Sequence, residues 1–417
     1  MRILHITSWP GPPFNGGNIN RYHILKRLSK RHDFRFIVVS QPEEESDLNA
    51  KDLSDLGIQT SGVYRCKTPH VSLASRIHFL LRSDNPPGVA AWNAKMGPSL
   101  CEQVRNICKS WAPELIMAWS PNYASMLSEI AEDQPSILFA CDSLNQLHES
   151  MAQGSSNFFK RFYHNIIAQR YYTYQCREYP KYKRVIFVSQ RDVQCCKLNS
   201  TVNTTVISNG VDTKEFKPNF NRKPRDVPRI LFHGDYRYSA NTEAAMHLVK
   251  KIGPKLIKTL GPNTFQLRLI GGHASKELIT STAGKPWVNL VGYVDNLQQE
   301  LSDGSIYAAP ITTGGGIKNK VLEAMACGLP VVGTHEAFNA IEIESHREAI
   351  KSELGDFSSH ITSLLTDEKK RHEISLAARA HVTNFCDYDA VADKFDQLFL
   401  DTADCVQEKR KRDTQAA

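Results

Sequence analysis

The stretch Pro310-Ile-Thr-Thr-Gly-Gly-Gly-Ile-Lys-Asn-Lys-Val-Leu-Glu-Ala-Met-Ala-Cys-Gly-Leu-Pro-Val-Val-Gly-Thr334 decides how this chain is read. An apolar run over 305–310 predicts a strand, Gly314, Gly315 and Gly316 a sharp turn, the next residues an amphipathic helix of about three turns, and 329 onward a second strand. Consecutive glycines cost backbone entropy, so a fold keeps them where the main chain turns hard or lies close to something. At about 3.6 residues per turn, Ile317, Val321, Leu322, Met325 and Ala326 fall on one side and Asn319, Lys320 and Glu323 on the other. Lys318 and Lys320 then stand in the first helical turn, where the helix dipole disfavours cations by a few tenths of a kcal/mol. A bound anion reverses that penalty.

Taken alone, the helix is equally consistent with a solvated surface and a Lys320–Glu323 ion pair at i, i+3. Glycine turn, helix start and two cations together, after the carboxyl end of a strand, describe an anion site where open α/β sheets bind ligands. A nucleotide diphosphate suits it.

At 417 residues the chain is long enough for two domains with full cores. Charged residues at 23% and hydrophobic ones at 41% are those of a globular protein. Lys and Arg outnumber Asp and Glu by 51 to 44, a net +7 that suits anionic substrates or an anionic membrane surface and gives no argument for nucleic acid. The ten cysteines form no Cys-x-x-Cys pair and no Cys/His metal spacing, so free thiols in a reducing compartment are expected, with neither disulfides nor metal. No apolar run approaches the roughly 18 residues that span a bilayer, and a cytoplasmic protein is expected.

From the start, a strand over 2–8, a proline-rich turn ending in Gly16-Gly17 and a helix over 18–30 make half a Rossmann unit, although the spacing is not Gly-x-Gly-x-x-Gly. Further strands are expected over 34–40, 63–66, 115–119, 136–141, 185–189 and 205–208, with a polar acidic loop around Glu43-Glu-Glu45. The helix over 72–82 is basic and amphipathic, and reads as core-packing or membrane-resting. Asp142, just past the strand over 136–141, either faces a ligand or caps the next helix. Residues 158–184 interleave aromatics with cations, a pattern suited to anionic lipid headgroups or to an ordinary solvated helix. The Pro-, Asn- and Lys-rich segment 214–227 reads as a linker. Beyond it strands over 229–234, 265–271, 288–291, 305–310 and 330–333 alternate with helices, notably over 241–260, and argue for a second parallel sheet. Asp387-Tyr-Asp389 spells a metal motif but precedes a C-terminal helix, so Asp387 reads as its N-cap.

The run Glu323-Ala-Met-Ala-Cys-Gly-Leu-Pro-Val-Val332, with Gly16-Gly17 and Asn209-Gly-Val-Asp212, resembles glycosyltransferase family 4, a group of retaining enzymes that use nucleotide sugars. The resemblance implies a GT-B fold: two Rossmann-like α/β domains facing each other across a cleft, with the C-terminal helix returning to the first. It implies an acceptor-binding domain over 1–213, the linker 214–227, a nucleotide-sugar domain over 228–385, a crossing helix over 386–407 and a disordered tail over 408–417. Glu323 is then expected on the nucleotide ribose. The donor diphosphate would meet Lys318, Lys320, Arg237, the turn Gly314, Gly315 and Gly316, and Ile317. The Gly292-Tyr293-Val294 turn would meet the base through Tyr293 and Val294, with Gly16 and Gly17 near the donor. Asp142 joins Lys318 and Lys320 as the catalytic set.

The expectation is therefore a metal-independent glycosyltransferase of the hexosyltransferase type, with a nucleotide sugar as co-substrate and no cofactor. Its partners would be that donor, a sugar or lipid-linked acceptor from bacterial polysaccharide or glycolipid synthesis, and an anionic membrane touched through residues 158–184 on the inner face of the plasma membrane. Alternatives on the same scaffold are a nucleotide-sugar epimerase or phosphorylase, or a binding protein without chemistry.

Overall fold

The computed structural model describes residues 1–12, 16–40, 50–68, 70–155, 157–219, 226–314 and 316–416. Gly315, the acidic loop at Glu43–Glu45 and residues 220–225 of the expected linker lie outside them. The chain divides into two compact units, Met1–Ile207 with Val391–Ala417, and Ser208–Ala390.

In the first unit the strands are β1 (Arg2–Thr7), β2 (Asp33–Ser40), β3 (Gly62–Lys67), β4 (Leu115–Ala118), β5 (Ser136–Cys141), β6 (Arg184–Phe187) and β7 (Thr204–Val206). They pair in parallel in the order β3-β2-β1-β4-β5-β6-β7. Both faces of such a sheet are covered by crossover helices, which is why Ile3, Leu4, Ile6, Leu115, Met117, Leu138 and Ile186 are all buried. The order reverses between β1 and β4, the position at which doubly wound sheets open a crevice beyond the carboxyl ends of their strands.

The second unit repeats the plan with β8 (Arg229–His233), β9 (Gln266–Ile270), β10 (Val288–Gly292), β11 (Ile306–Ala309), β12 (Val331–Gly333) and the short β13 (Ile350–Lys351). The order is β10-β9-β8-β11-β12-β13, again parallel, with the reversal between β8 and β11. β13 went unread because two residues carry no periodicity. The helix expected over 241–260 is interrupted by a π-helical stretch, Leu248–Ile252, before Pro254, which has no amide proton to continue an α-helical ladder.

The helix Tyr388–Ala416 leaves the second unit and packs on the first from Val391. Phe395 stacks on Trp119 at 5.6 Å, and Arg31 donates to Asp393 at 2.6 Å and to Asp396 at 3.1 Å. This helix continues to Ala416 where a disordered tail had been expected, because the Glu-, Lys-, Arg- and Gln-rich end is made of strong helix formers without Gly or Pro. Asp387 accepts from the Asp389 amide at 2.7 Å, the N-cap geometry, and from Thr213. Among the described residues no cluster of His, Cys, Asp and Glu has metal-binding spacing, and no helix is long and apolar enough to cross a membrane.

The Phe158–Glu178 helix corrects the reading of residues 158–184 as one lipid-facing surface. Phe158, Phe159 and Phe162 are exposed, but Tyr174, Tyr179 and Tyr182 are core residues, and the Tyr174 hydroxyl donates to the Pro121 carbonyl at 2.9 Å. Arg170 is spent on backbone, donating to the Ser83 carbonyl at 2.7 Å and to Leu80 at 2.5 Å, which closes the C-terminal end of the helix Leu73–Arg82. Interleaving in sequence thus resolves, at helical periodicity, into an exposed first stretch and a buried second one.

Candidate functional site

The helix Asn319–Ala326 begins two residues later than the glycine turn suggested, with Lys318 at its N-cap. Val321, Leu322 and Met325 are fully buried, each worth about 1.5–3 kcal/mol of transfer free energy. Gly314 and Gly316 hold φ of 103° and 69°, conformations that L side chains resist. The turn so formed follows β11, beside the end of β8, at the reversal of the second sheet.

Lys320 departs from the expected outer position. Its ammonium is turned inward, donating to Asn241 Oδ1 and lying 5.2 Å from the centre of the Phe232 ring. A Cβ added at Gly234 would stand 2.6 Å from that ammonium, so the glycine just past β8 makes room for it. Burial, with Lys318 nearby, lowers the Lys320 pKa to about 8 against an opposing pull from Glu323. Among the described residues no carboxylate lies within ion-pair distance, and the Lys320–Glu323 pair does not form.

Glu323 instead meets His233, the last residue of β8: Nε2 and Oε2 are 2.8 Å apart. His233 Nδ1 lies 3.1 Å from the Tyr307 hydroxyl, which also accepts from the His233 amide at 3.4 Å. Tyr307 is wholly buried, and burial drives its pKa well upward, so it donates to Nδ1 and leaves the proton on Nε2 facing the carboxylate. The sequence reading missed both residues. Their one signal is a histidine closing an apolar strand and a tyrosine inside the neighbouring one, which pairs with Leu231 two residues before the histidine.

Lys318 is tied down. Its ammonium donates to the carbonyls of Gly314 at 2.8 Å and Gly316 at 2.9 Å and lies 3.5 Å from Glu336. It thereby clamps the glycine turn. Arg237 is held by Asp235 through Nε at 2.9 Å and through Nη2, and His273 Nδ1 lies 3.2 Å from the same carboxylate. The hydrogen bond from Arg237, with its charge, depresses the Asp235 pKa to about 2. Next to them Gly271, at φ 137°, passes so close that an added Cβ would stand 2.0 Å from the Gly234 carbonyl. Tyr293 is exposed beyond Gly292, and Val294 and Ile317 pack half-buried on the core.

The structure therefore gathers Glu323, Lys318, Lys320, Gly314, Gly316 and Ile317 with His233 and Asn241 around the carboxyl ends of β8 and β11, in the middle of the second sheet. Asp142, Gly16 and Gly17 belong to the first unit. Gly16 and Gly17 open the helix Gly16–Leu28 after β1, and Asp142 follows β5. The capping alternative for Asp142 falls to Ser143, whose hydroxyl accepts from the Gln146 amide.

HepE of Anabaena, solved with UDP and glucose, superimposes at TM-score 0.63 over 96% of this chain and 100% of its own, at 16% identity. The fold is GT-B. Other GT-B structures agree: sucrose-phosphate synthase of Thermosynechococcus elongatus (TM-score 0.67, 16% identity, 96% and 99% covered) and a glycosyltransferase of Rickettsia africae (TM-score 0.64, 16% identity, 96% and 98% covered). At such identities the similarity establishes the GT-B architecture and nothing finer. Residues 227–367, inside the second unit of this GT-B chain, match the family model described as Glycosyl transferases group 1. No curated protein matches the sequence. The family match supports a glycosyltransferase domain in the second unit.

Proposed function

We propose that this chain is a retaining glycosyltransferase of the hexosyltransferase type, moving a sugar from a nucleotide diphosphate to an acceptor hydroxyl. The observation that carries it is Lys320: a buried ammonium that, among the described residues, meets an amide oxygen and a ring face and no carboxylate within ion-pair distance, at the sheet reversal, beside a glycine turn. A diphosphate would supply the charge that this cation lacks.

In this reading Glu323, oriented by His233, holds the ribose, and Lys320 with the amides around Gly316 and Ile317 stabilises the leaving diphosphate. Lys318 shapes the turn that presents those amides. The bond from anomeric carbon to phosphate oxygen breaks as the bond to the acceptor oxygen forms on the same face, and the acceptor proton passes to the departing diphosphate. Cations and amides cover the developing charge, so transfer proceeds without a metal. Asp142 orients donor or acceptor hydroxyls. Exposed Phe158, Phe159 and Phe162, flanking Lys160 and Arg161, support peripheral contact with an anionic membrane on the cytoplasmic side and hence a lipid-linked acceptor.

Calorimetry with UDP and GDP, followed by NMR assignment of the product anomer, tests this. One diphosphate should bind, Lys320→Met and Glu323→Ala should each weaken it at least tenfold, and the product should keep the donor's anomeric configuration. Absence of binding at millimolar concentrations of either nucleotide removes the reading.

A further inference from the structure

The first sheet has its own reversal, between β1 and β4, and a cation stands there as well. Arg21, on the helix Gly16–Leu28, donates through Nη1 to the Thr7 hydroxyl and the Ser8 carbonyl, both at 2.9 Å, and to the Ser8 hydroxyl. Thr7 ends β1. The groups whose charge it feels are Tyr123, just past β4, and Cys141, which ends β5; burial raises the pKa of both and keeps them neutral. Among the described residues no carboxylate pairs with Arg21, and its Nε is buried without a hydrogen-bond partner. Every bond it makes uses Nη1, so Nη2, a charge-assisted donor suited to carboxylate or phosphate, is unspent. An unpaired buried guanidinium is a standing cost that an apolar side chain of the same length would not carry.

We propose that Arg21 is an oxyanion-binding residue of the first unit, taking a phosphate monoester or carboxylate of the acceptor through Nη2. The acceptor part rests on the glycosyltransferase reading; the oxyanion site does not. Thr7 and Ser8 hold the guanidinium in the plane that such a group requires, and Arg21 thereby sets acceptor specificity toward charged sugars.

The test uses the full chain, with and without saturating UDP, and three probes of one shape: glucose 6-phosphate, glucuronate and glucose, followed by ligand-observed NMR and calorimetry. At least one charged sugar should bind tenfold or more tighter than glucose, the stronger of the two telling phosphate from carboxylate. In Arg21→Met the preference should shrink to within twofold while the melting temperature stays level or rises, and Arg21→Lys should keep part of it. A charged-sugar preference unchanged in Arg21→Met, or no preference in the unmodified chain, overturns the proposal. Retained charge preference in a chain that binds neither UDP nor GDP overturns the transferase reading and leaves the oxyanion site standing.

Discussion

His233 Nε2 and Glu323 Oε2 meet at 2.8 Å across 90 residues of sequence, and the Tyr307 hydroxyl behind His233 fixes which nitrogen carries the proton. Glu323 is thus an acceptor oriented through Oε2 by a strand end, and 23% of its side chain remains exposed to meet a ligand.

His233→Phe should keep the ring volume and remove the orienting donor. UDP affinity is expected to fall about tenfold, roughly 1.4 kcal/mol, with unchanged circular dichroism. Glu323→Ala should cost about 100-fold or more in kcat/KM. Calorimetry and steady-state kinetics on the two variants separate orientation from contact, and equal losses would contradict the relay.

Lys320 carries a penalty whose sign is fixed by its pKa of about 8 in the fold against 10.5 in the unfolded chain. The unfolded state binds the extra proton between those values, so this group's contribution to stability rises with pH across that window and is least favourable below pH 8. Lys320→Met should therefore be more stable than the parent near pH 7, by about 1–3 kcal/mol, with the difference shrinking toward pH 10. Urea denaturation at pH 7 and pH 10 reads this directly. A less stable variant at pH 7 would show that the Asn241 bond outweighs desolvation.

His5 lies wholly buried in β1 with both ring nitrogens unpartnered, edge-on to Phe36 and Trp119 at 5.5 Å each. Burial, helped by Arg21, lowers its pKa to about 3. With an unfolded value near 6.5 its contribution is full above that pH and is lost as pH falls toward 3. His5→Leu is expected to gain about 1–2 kcal/mol at pH 7 and to flatten the acid limb of the stability curve, as measured by thermal unfolding from pH 4 to 8.

The proposed membrane contact falls on the exposed first turns of the Phe158–Glu178 helix. Phe158→Ser combined with Phe159→Ser and Phe162→Ser should abolish cosedimentation with vesicles containing anionic phospholipid while leaving the melting temperature within about 2 °C. Binding that survives these changes would move the contact elsewhere, and the helix Leu73–Arg82, with Leu73, Ile77 and Leu81 exposed, is the next candidate.

The strand rhythm and the turn-and-helix at Gly314–Ala326 were legible because each is a local pattern: alternation of apolar runs with helical spacing, and glycines where the chain must bend. Lys320 shows where that stops. Its helical phase placed it outside, yet the phase of one helix says nothing about the neighbouring strand end, and Gly234 opens the space into which its ammonium turns. The aromatic run over 158–184 shows the same limit, since composition could not say which tyrosines would be claimed by the core.

By itself the sequence determined the two parallel sheets and the apolar face of the helix carrying Glu323, since backbone geometry converts short-range periodicity directly into element and face. Only the tertiary structure decided that Glu323 is met by His233, that Lys318 is spent on its own turn, and that Arg21 has no carboxylate partner among the described residues. Those outcomes depend on which strand ends become neighbours when the order of a sheet reverses, and burial and pairing of charge follow from neighbours in space that no local pattern encodes.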